Sequence, residues 1–475
     1  MKTPKIAVIH FPGSNCELEA LRACRRTGME PQFVRWNEDT DLKKFDGFIL
    51  PGGFSYEDRG RSGIVASKDP IIKRIEREAL KEKPVIGICN GAQMLIECGL
   101  VPGLEDKKLE MALAWNEWIK KGKILGYAYL NDWIYIRSDA PSGRCAFNMF
   151  KKNTIIRCPV AHGEGRYLTQ DKGLLKRLIA NQQTAFRYCD EHGKFVNEFP
   201  INPNNAVYNL AGICNPEGNV MALMPHPERT PIGDPIFASM AAYIKKDFKI
   251  RMPAIAKKKY KSAFTEEKIK NYEEKPNIEM FVEMVITDNE ERTIEHAIKD
   301  IGFKDIKLKK YTYFGIKTMV PSKTRGAAKI DEKALAIELI RSGELINTNK
   351  ETPYIKIDGK WHEYNMTTGL IESKFKDNFA ASYFVFERNN YVGKSILSGV
   401  RRHFGIKEVA EVKKGILWVL ERGQKNAEKI VKTHIFHNPH SSLIFSKQAR
   451  ILFGSPRKNN KHARILSSVR AKNNK

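Results

Sequence analysis

Cysteine is missing from the second half of this chain. All eight cysteines fall within the first 214 of its 475 residues, and none forms a close C-x-x-C pair. Neither a zinc ribbon nor a disulfide framework is indicated, and a reducing compartment fits. Long apolar runs are also missing. Nothing approaches the roughly 18 to 20 continuous apolar residues of a membrane-spanning helix, and the N-terminus opens into an apolar strand without the layout of a signal peptide. A cytoplasmic protein with no membrane contact is expected. No G-x-x-x-x-G-K-[ST] phosphate loop occurs. Acid is in deficit, with 55 Asp and Glu against 81 Lys and Arg, a net charge of +26. Residues 245–261 carry +7 and residues 446–475 carry +9, together +16 of that total. The excess therefore belongs to a linker and a tail rather than to a folded groove, and it reads as solvated charge or as a weak nucleic-acid contact through the tail.

What the chain does have is the run Val85-Ile86-Gly87-Ile88-Cys89-Asn90-Gly91-Ala92-Gln93, in which an apolar strand ends in a cysteine held between two glycines. A nucleophile elbow needs this layout, because the sharp strand-to-helix turn leaves room only for glycine two residues before and after the nucleophile. Helix is predicted over 92–98. The sulfur then sits at a helix N-terminus, where the macrodipole and free N–H groups favour thiolate. A buried structural thiol between chance glycines is the alternative.

A cysteine nucleophile needs a base and a group to orient it. Of eleven histidines, His226 stands out in Met224-Pro225-His226-Pro227-Glu228-Arg229, just past an apolar strand. The flanking prolines fix an extended backbone, so His226 and Glu228, two apart, project to one side. A third element, Phe48-Ile49-Leu50-Pro51-Gly52-Gly53, runs an apolar strand into paired glycines. The N–H groups of Gly53 and of Asn90 can serve a developing oxyanion. Thiolate, imidazole, carboxylate and oxyanion hole together describe acyl transfer through a thioester.

Short apolar strands at 6–11, 32–36, 48–50 and 85–88 alternate with amphipathic helices at 17–27 and 70–80. This predicts an α/β fold with a mostly parallel sheet covered on both faces, its site at the strand C-termini. Composition turns to Lys, Glu and Pro near 246–277, a linker. Beyond it lies an internal duplication. Residues 294–306 parallel 396–409, each preceded by a strand (279–286; 381–387) and followed by another (311–318; 415–420), and a second helix comes later in each copy (331–342; 426–434). Two copies can pair their sheets as a pseudo-dimer, an α+β arrangement. His434, His437 and His440 suggest metal ligands, but Asn438-Pro439 breaks the helical spacing, so the reading is a turn near an interface.

These motifs, with Phe11-Pro12-Gly13-Ser14-Asn15-Cys16-Glu17 and Ala161-His162-Gly163-Glu164-Gly165-Arg166-Tyr167, resemble the class I (triad) glutamine amidotransferases. Within them the chain looks like the PurQ type, the glutaminase subunits of phosphoribosylformylglycinamidine synthase. The resemblance spans roughly residues 5–230. It implies a flavodoxin-like doubly wound sheet, glutamine as substrate, Cys89 as nucleophile, His226 as proton shuttle, Glu228 as orienter, Gly53 and Asn90 as oxyanion donors, and Gln93 as a glutamine-seating residue. The chain departs from the family at Glu57, Asp58, Arg59 and Ala92, and residues 104–150 match it only loosely. The duplicated region is similar to the small PurS-type bridging subunit.

The expected layout is an amidotransferase domain at 1–250, a basic linker at 251–277, a duplicated PurS-like bridging domain at 278–445 and a basic tail at 446–475. By resemblance, ammonia passes to a separate PurL-type synthetase that holds the ATP and magnesium, and no cofactor or metal is expected on this chain. The rival readings are a triad glutaminase serving another synthase, a peptidase or deglycase-like cysteine-elbow protein, and a basic RNA-associated scaffold.

Overall fold

The computed structural model describes residues 2–106, 108–319, 330–375, 379 and 381–447. All but the first two residues of the predicted tail therefore lie outside the described residues.

The N-terminal half is built on a nine-stranded sheet in the order Glu30–Arg35, Lys5–His10, Gly47–Leu50, Val85–Ile88, Val220–Leu223, Leu210–Cys214, Thr184–Cys189, Leu130–Ser138, Ile155–His162. The first five strands pair in parallel, and the last four continue antiparallel. Fully buried strands such as Gly47–Leu50 and Val85–Ile88 read as unbroken apolar runs because both sheet faces are covered. The helix Pro70–Ala79 begins where Asp69 caps Ile71 N and proline takes the first turn, and it buries Ile71, Ile72 and Ile75. The antiparallel strands escape a sequence reading tuned to strand–helix alternation, since no helix separates Leu210–Cys214 from Val220–Leu223.

The second sheet also has nine strands. Each repeat is strand, helix, strand, helix, strand: Ile278–Met284, Asn289–Asp300, Lys307–Thr318, Glu332–Arg341, Glu351–Ile357 in the first, and Ser382–Glu387, Tyr391–His403, Val409–Arg422, Ala427–Val431, Ser442–Ser446 in the second. The long central strands pair antiparallel from Lys307↔Arg422 to Thr318↔Val409, so the two copies form one continuous sheet about a pseudo-twofold axis. Period-two alternation separates its faces. Met280, Val282, Phe314 and Ile316 meet the helices Glu332–Arg341 and Tyr391–His403, whereas Phe281, Tyr311, Tyr313, Phe384 and Phe386 form an aromatic layer opposite. The strands Lys360–Asn365 and Gly369–Glu372 extend the first repeat and have no counterpart in the predicted unit.

The basic linker is not a free tether. Tyr260 donates to Asp171 (2.8 Å), Ser262 N to Glu105 (2.8 Å), and Lys270–Asn271 pairs with Ser442–Ser446. Apolar contact also joins the halves, with Ile64 and Val65 packing among Ile294, Ala297 and Ile298.

Candidate active site

Cys89 sits at φ 51, ψ −107, between the strand Val85–Ile88 and the helix Asn90–Glu97. The flanking glycines are a steric requirement. A Cβ on Gly87 would lie 2.3 Å from the Gly91 carbonyl oxygen, and one on Gly91 would lie 2.0 Å from that of Leu50. Leucine 223, at the end of the neighbouring strand, accepts the Cys89 N–H at 2.8 Å. Positive φ at a non-glycine residue stores strain of order 1–3 kcal/mol, held here by the buried sheet on both sides. Contrary to the thiolate expected at a helix N-terminus, burial pushes the Cys89 thiol well up, with Cys16, Glu228 and Asp58 adding to it and Arg229 opposing.

The candidate base lines the same cavity as Cys89, while Cys89 Sγ itself faces the Ala161 carbonyl at 3.6 Å. His226 follows the strand Val220–Leu223, parallel neighbour of the elbow strand, and its N–H bonds to the Pro159 carbonyl at 2.8 Å. Its Nδ1 meets Glu228 Oε1 at 2.6 Å, both side chains 1% exposed. A carboxylate on Nδ1 fixes the tautomer that leaves Nε2 unprotonated, and Nε2 is buried with no hydrogen-bond partner among the described residues. Gly52 shows how close the groups come. A Cβ there would lie 2.7 Å from His226 Cε1, 3.1 Å from Cys16 Sγ and 3.4 Å from Cys89 Cβ.

Cys89, His226 and Gly53 line one cavity of about 210 Å³ together with Asn15, Phe54, Tyr129, Asn131, Ala161 and Arg229. Asn90 is the first residue of its helix, where an N–H has no intrahelical acceptor. The Asn90 side chain is structural. It accepts from Ser55 N (3.0 Å) and donates to Asp58 (3.1 Å) and Gln93 (2.8 Å). Gln93, expected to seat glutamine, has its carboxamide between Asn90 and the Glu164 carbonyl (2.6 Å) and is not among the residues lining that cavity.

Several residues escaped the motif reading of roles. Arg229 Nη2 donates to Cys16 Sγ (3.0 Å), and that sulfur lies 3.9 Å from His226 Nδ1. Burial, then Glu228, pushes the Cys16 thiol up to about 11. Tyr129 and Asn131 come from the loosely matching stretch 104–150. His162 is a support, its ring meeting Asn116 (3.1 Å) and filling the space over Gly165, where a Cβ would lie 2.1 Å away. Burial lowers its pKa to about 3. The charged departure at Glu57, Asp58 and Arg59 has a place too. Tyr56, Glu57 and Asp58 are all left-handed, which aims Asp58 at Asn90 and lets Arg59 reach Thr293 (2.9 Å) in the second half. Burial raises Asp58 to about 6 and Glu164 to about 8.

Residues 3–241 match the CobB/CobQ-like glutamine amidotransferase domain. The chain belongs to the glutamine amidotransferase family. Among its relatives, the phosphoribosylformylglycinamidine synthase subunit PurQ of Methanothrix thermoacetophila is 46% identical over 227 residues, which is 47% of this chain and 86% of that protein. PurQ of Methanosarcina acetivorans is 37% identical over 252 residues, 51% of this chain and the whole of that protein. Of solved structures, PurLQS from Thermotoga maritima aligns at 34% identity and a TM-score of 0.40, covering 51% of this chain and all of the aligned one. The amidotransferase half is the part these similarities reach, and its strand–turn junctions carry Cys89, the Pro51-Gly52-Gly53 turn and the His226-Glu228 pair.

Proposed function

We infer that this chain is the glutaminase subunit of phosphoribosylformylglycinamidine synthase, hydrolysing glutamine to glutamate and ammonia for the ATP-dependent amidation of formylglycinamide ribonucleotide in purine biosynthesis. The observation that carries the chemistry is the His226 imidazole, held by Glu228 at 2.6 Å with Nε2 unpartnered in the cavity that Cys89 lines. His226 Nε2 takes the Cys89 proton, and the thiolate attacks the carboxamide carbon of glutamine. The resulting oxyanion is held by the N–H groups of Gly53 and Asn90. On collapse the C–N bond breaks, His226 returns the proton to the departing nitrogen, and ammonia leaves a γ-glutamyl thioester. Water, deprotonated by the same imidazole, then splits the thioester to glutamate and restores the thiol. Arg229, at the cavity mouth, suits the substrate carboxylate.

The duplicated region suits a PurS-like bridge to a separate PurL-type synthetase, which would hold the ATP and magnesium, and the cytoplasm suits the whole assembly. The layout 1–250, 251–277, 278–445 is the domain partition we propose. Exposure to an electrophilic glutamine analogue followed by peptide mapping tests the site. Modification is expected on Cys89 and on none of the other seven thiols, and Cys89→Ala is expected to abolish ammonia release. Label on a different cysteine, or turnover surviving in Cys89→Ala, would remove the mechanism.

A further inference from the structure

We propose a metal site, outside the catalytic centre, in which Glu266, His434 and His437 bind one zinc-class divalent cation and bolt the linker to the second repeat. His434 and His437 lie on the segment between the helix Ala427–Val431 and the strand Ser442–Ser446. Glu266 comes from the linker, more than 160 residues earlier. The three converge. His437 Nε2 lies 2.8 Å from Glu266 Oε1 and His434 Nε2 lies 3.4 Å from Oε2, and one ligand atom from each of the three falls within 4.8 Å of the others. Tetrahedral zinc with bonds of about 2.0–2.1 Å places its ligand atoms about 3.3 Å apart, and each imidazole lies near that distance from one oxygen of the carboxylate. The rings stand 5.3 Å apart and nearly perpendicular, at 79°.

Neither His434 Nδ1 nor His437 Nδ1 has a hydrogen-bond partner among the described residues. Without an ion the Glu266 carboxylate accepts from the His437 Nε2–H; a cation would take the place of that proton, with the proton moving to Nδ1. Two imidazoles and one carboxylate, with a fourth position left to water, match zinc better than calcium or magnesium, which favour all-oxygen shells.

The segment is held from the amidotransferase side. Arg61, paired with Glu97 (2.6 Å), donates to the carbonyls of His434 (2.6 Å) and Ile435 (3.1 Å). Asn438 donates to Glu97 (3.0 Å) and to the Met111 carbonyl (3.1 Å). His434 itself is left-handed at φ 59, a turn that brings its ring back beside His437. His440 takes no part. Its Nδ1 accepts from Gln170 N and its Nε2 faces the Leu109 carbonyl, each at 3.0 Å. Access exists, because Glu266 is 40% exposed whereas His437 is 1%, and both border a groove of about 700 Å³. The predicted turn at an interface is thus also a place where three ligands meet.

The full-length chain, stripped with chelator and dialysed against limiting zinc, tests this by metal analysis and by competition with a chromophoric chelator. One zinc per chain is expected, with a thermal midpoint several degrees above that of the stripped protein. Glu266→Gln and His437→Ala are expected to bind at least about tenfold more weakly, and the midpoint of Glu266→Gln should no longer respond to zinc. Because Glu266 is half exposed, Glu266→Gln keeps the test open should His437→Ala fail to fold. Cys16, His226 and Glu228 also cluster, so His226→Ala is the control and is expected to retain its zinc. Absence of zinc at micromolar free metal, undiminished affinity in Glu266→Gln, or loss of zinc in His226→Ala would overturn the proposal.

Discussion

Gly52 has no side chain, and the site depends on that. A methyl group there would press on His226 Cε1 at 2.7 Å and on Cys16 Sγ at 3.1 Å, and the imidazole has little room to yield because Glu228 holds its far nitrogen. Gly52→Ala is expected to lower kcat by about 10²-fold, the usual penalty for displacing a catalytic group by about an ångström, while thermal unfolding shows a loss of only about 1–3 kcal/mol. Glu228→Gln keeps the shape but loses the charge that stabilises imidazolium. Steady-state glutaminase assays are expected to show kcat falling by up to about 10⁴-fold with KM nearly unchanged. Both expectations rest on groups recognisable in the sequence, since Pro-Gly-Gly and Pro-His-Pro-Glu are local patterns. The contacts of Gln93 are not legible in the same way. Its neighbours Asn90 and Glu164 belong to different segments, and only their meeting uses up its carboxamide.

At the level of elements, each active group stands at the C-terminal end of a parallel strand: Gly53 after Gly47–Leu50, Cys89 after Val85–Ile88, His226 after Val220–Leu223. Alternating strand and helix patterns made the first four parallel strands readable. The antiparallel half, from Leu210–Cys214 to Ile155–His162, was not readable because its partners are chosen by sheet edges rather than by local periodicity. The strand Glu164–Leu168 pairs with Ala112–Trp115 and carries a testable charge. Burial holds the Glu164 carboxyl up to about 8, with Asp58 and Glu387 adding to it. A carboxyl with a raised folded-state pKa keeps its proton longer when folded. The folded chain then binds more protons between the ordinary glutamate range and about pH 8, and stability falls as pH rises through that window. Glu164→Gln removes this titration. In denaturant unfolding it is expected to be more stable than the parent above pH 8, by on the order of 1 kcal/mol or more, with the gap closing toward pH 4.5.

Across the whole molecule, the second half inserts a side chain into the first. Tyr391 opens the helix Tyr391–His403. Its hydroxyl accepts from Arg166 and donates to Glu117, each at 3.0 Å, and its ring stacks on Tyr127 at 3.9 Å between centroids. Arg166 and Glu117 are themselves a buried pair at 3.0 Å. Tyr391→Phe removes one partner from each charge and is expected to cost about 1–3 kcal/mol, measured by chemical unfolding of the full chain. Limited proteolysis is expected to cut the linker faster in that variant, because Tyr260 and Ser262 hold it only through a few polar contacts. Arg166 belongs to a motif found in the sequence, but nothing in the linear order connects it to Tyr391, 225 residues away.

By itself the sequence picked out the cysteine elbow between glycines, the Pro-Gly-Gly turn, the His226-Glu228 pair and the existence of two repeats, because each is a short pattern with a steric or electronic reason behind its residues. Tertiary structure decided which of these groups share a cavity, that burial pushes the Cys89 thiol up, that Cys16 and Arg229 stand beside the imidazole, and that the repeats merge through the pairing of Lys307–Thr318 with Val409–Arg422. Desolvation, long-range strand pairing and the packing of one half on the other depend on neighbours far along the chain, and no local pattern encodes them.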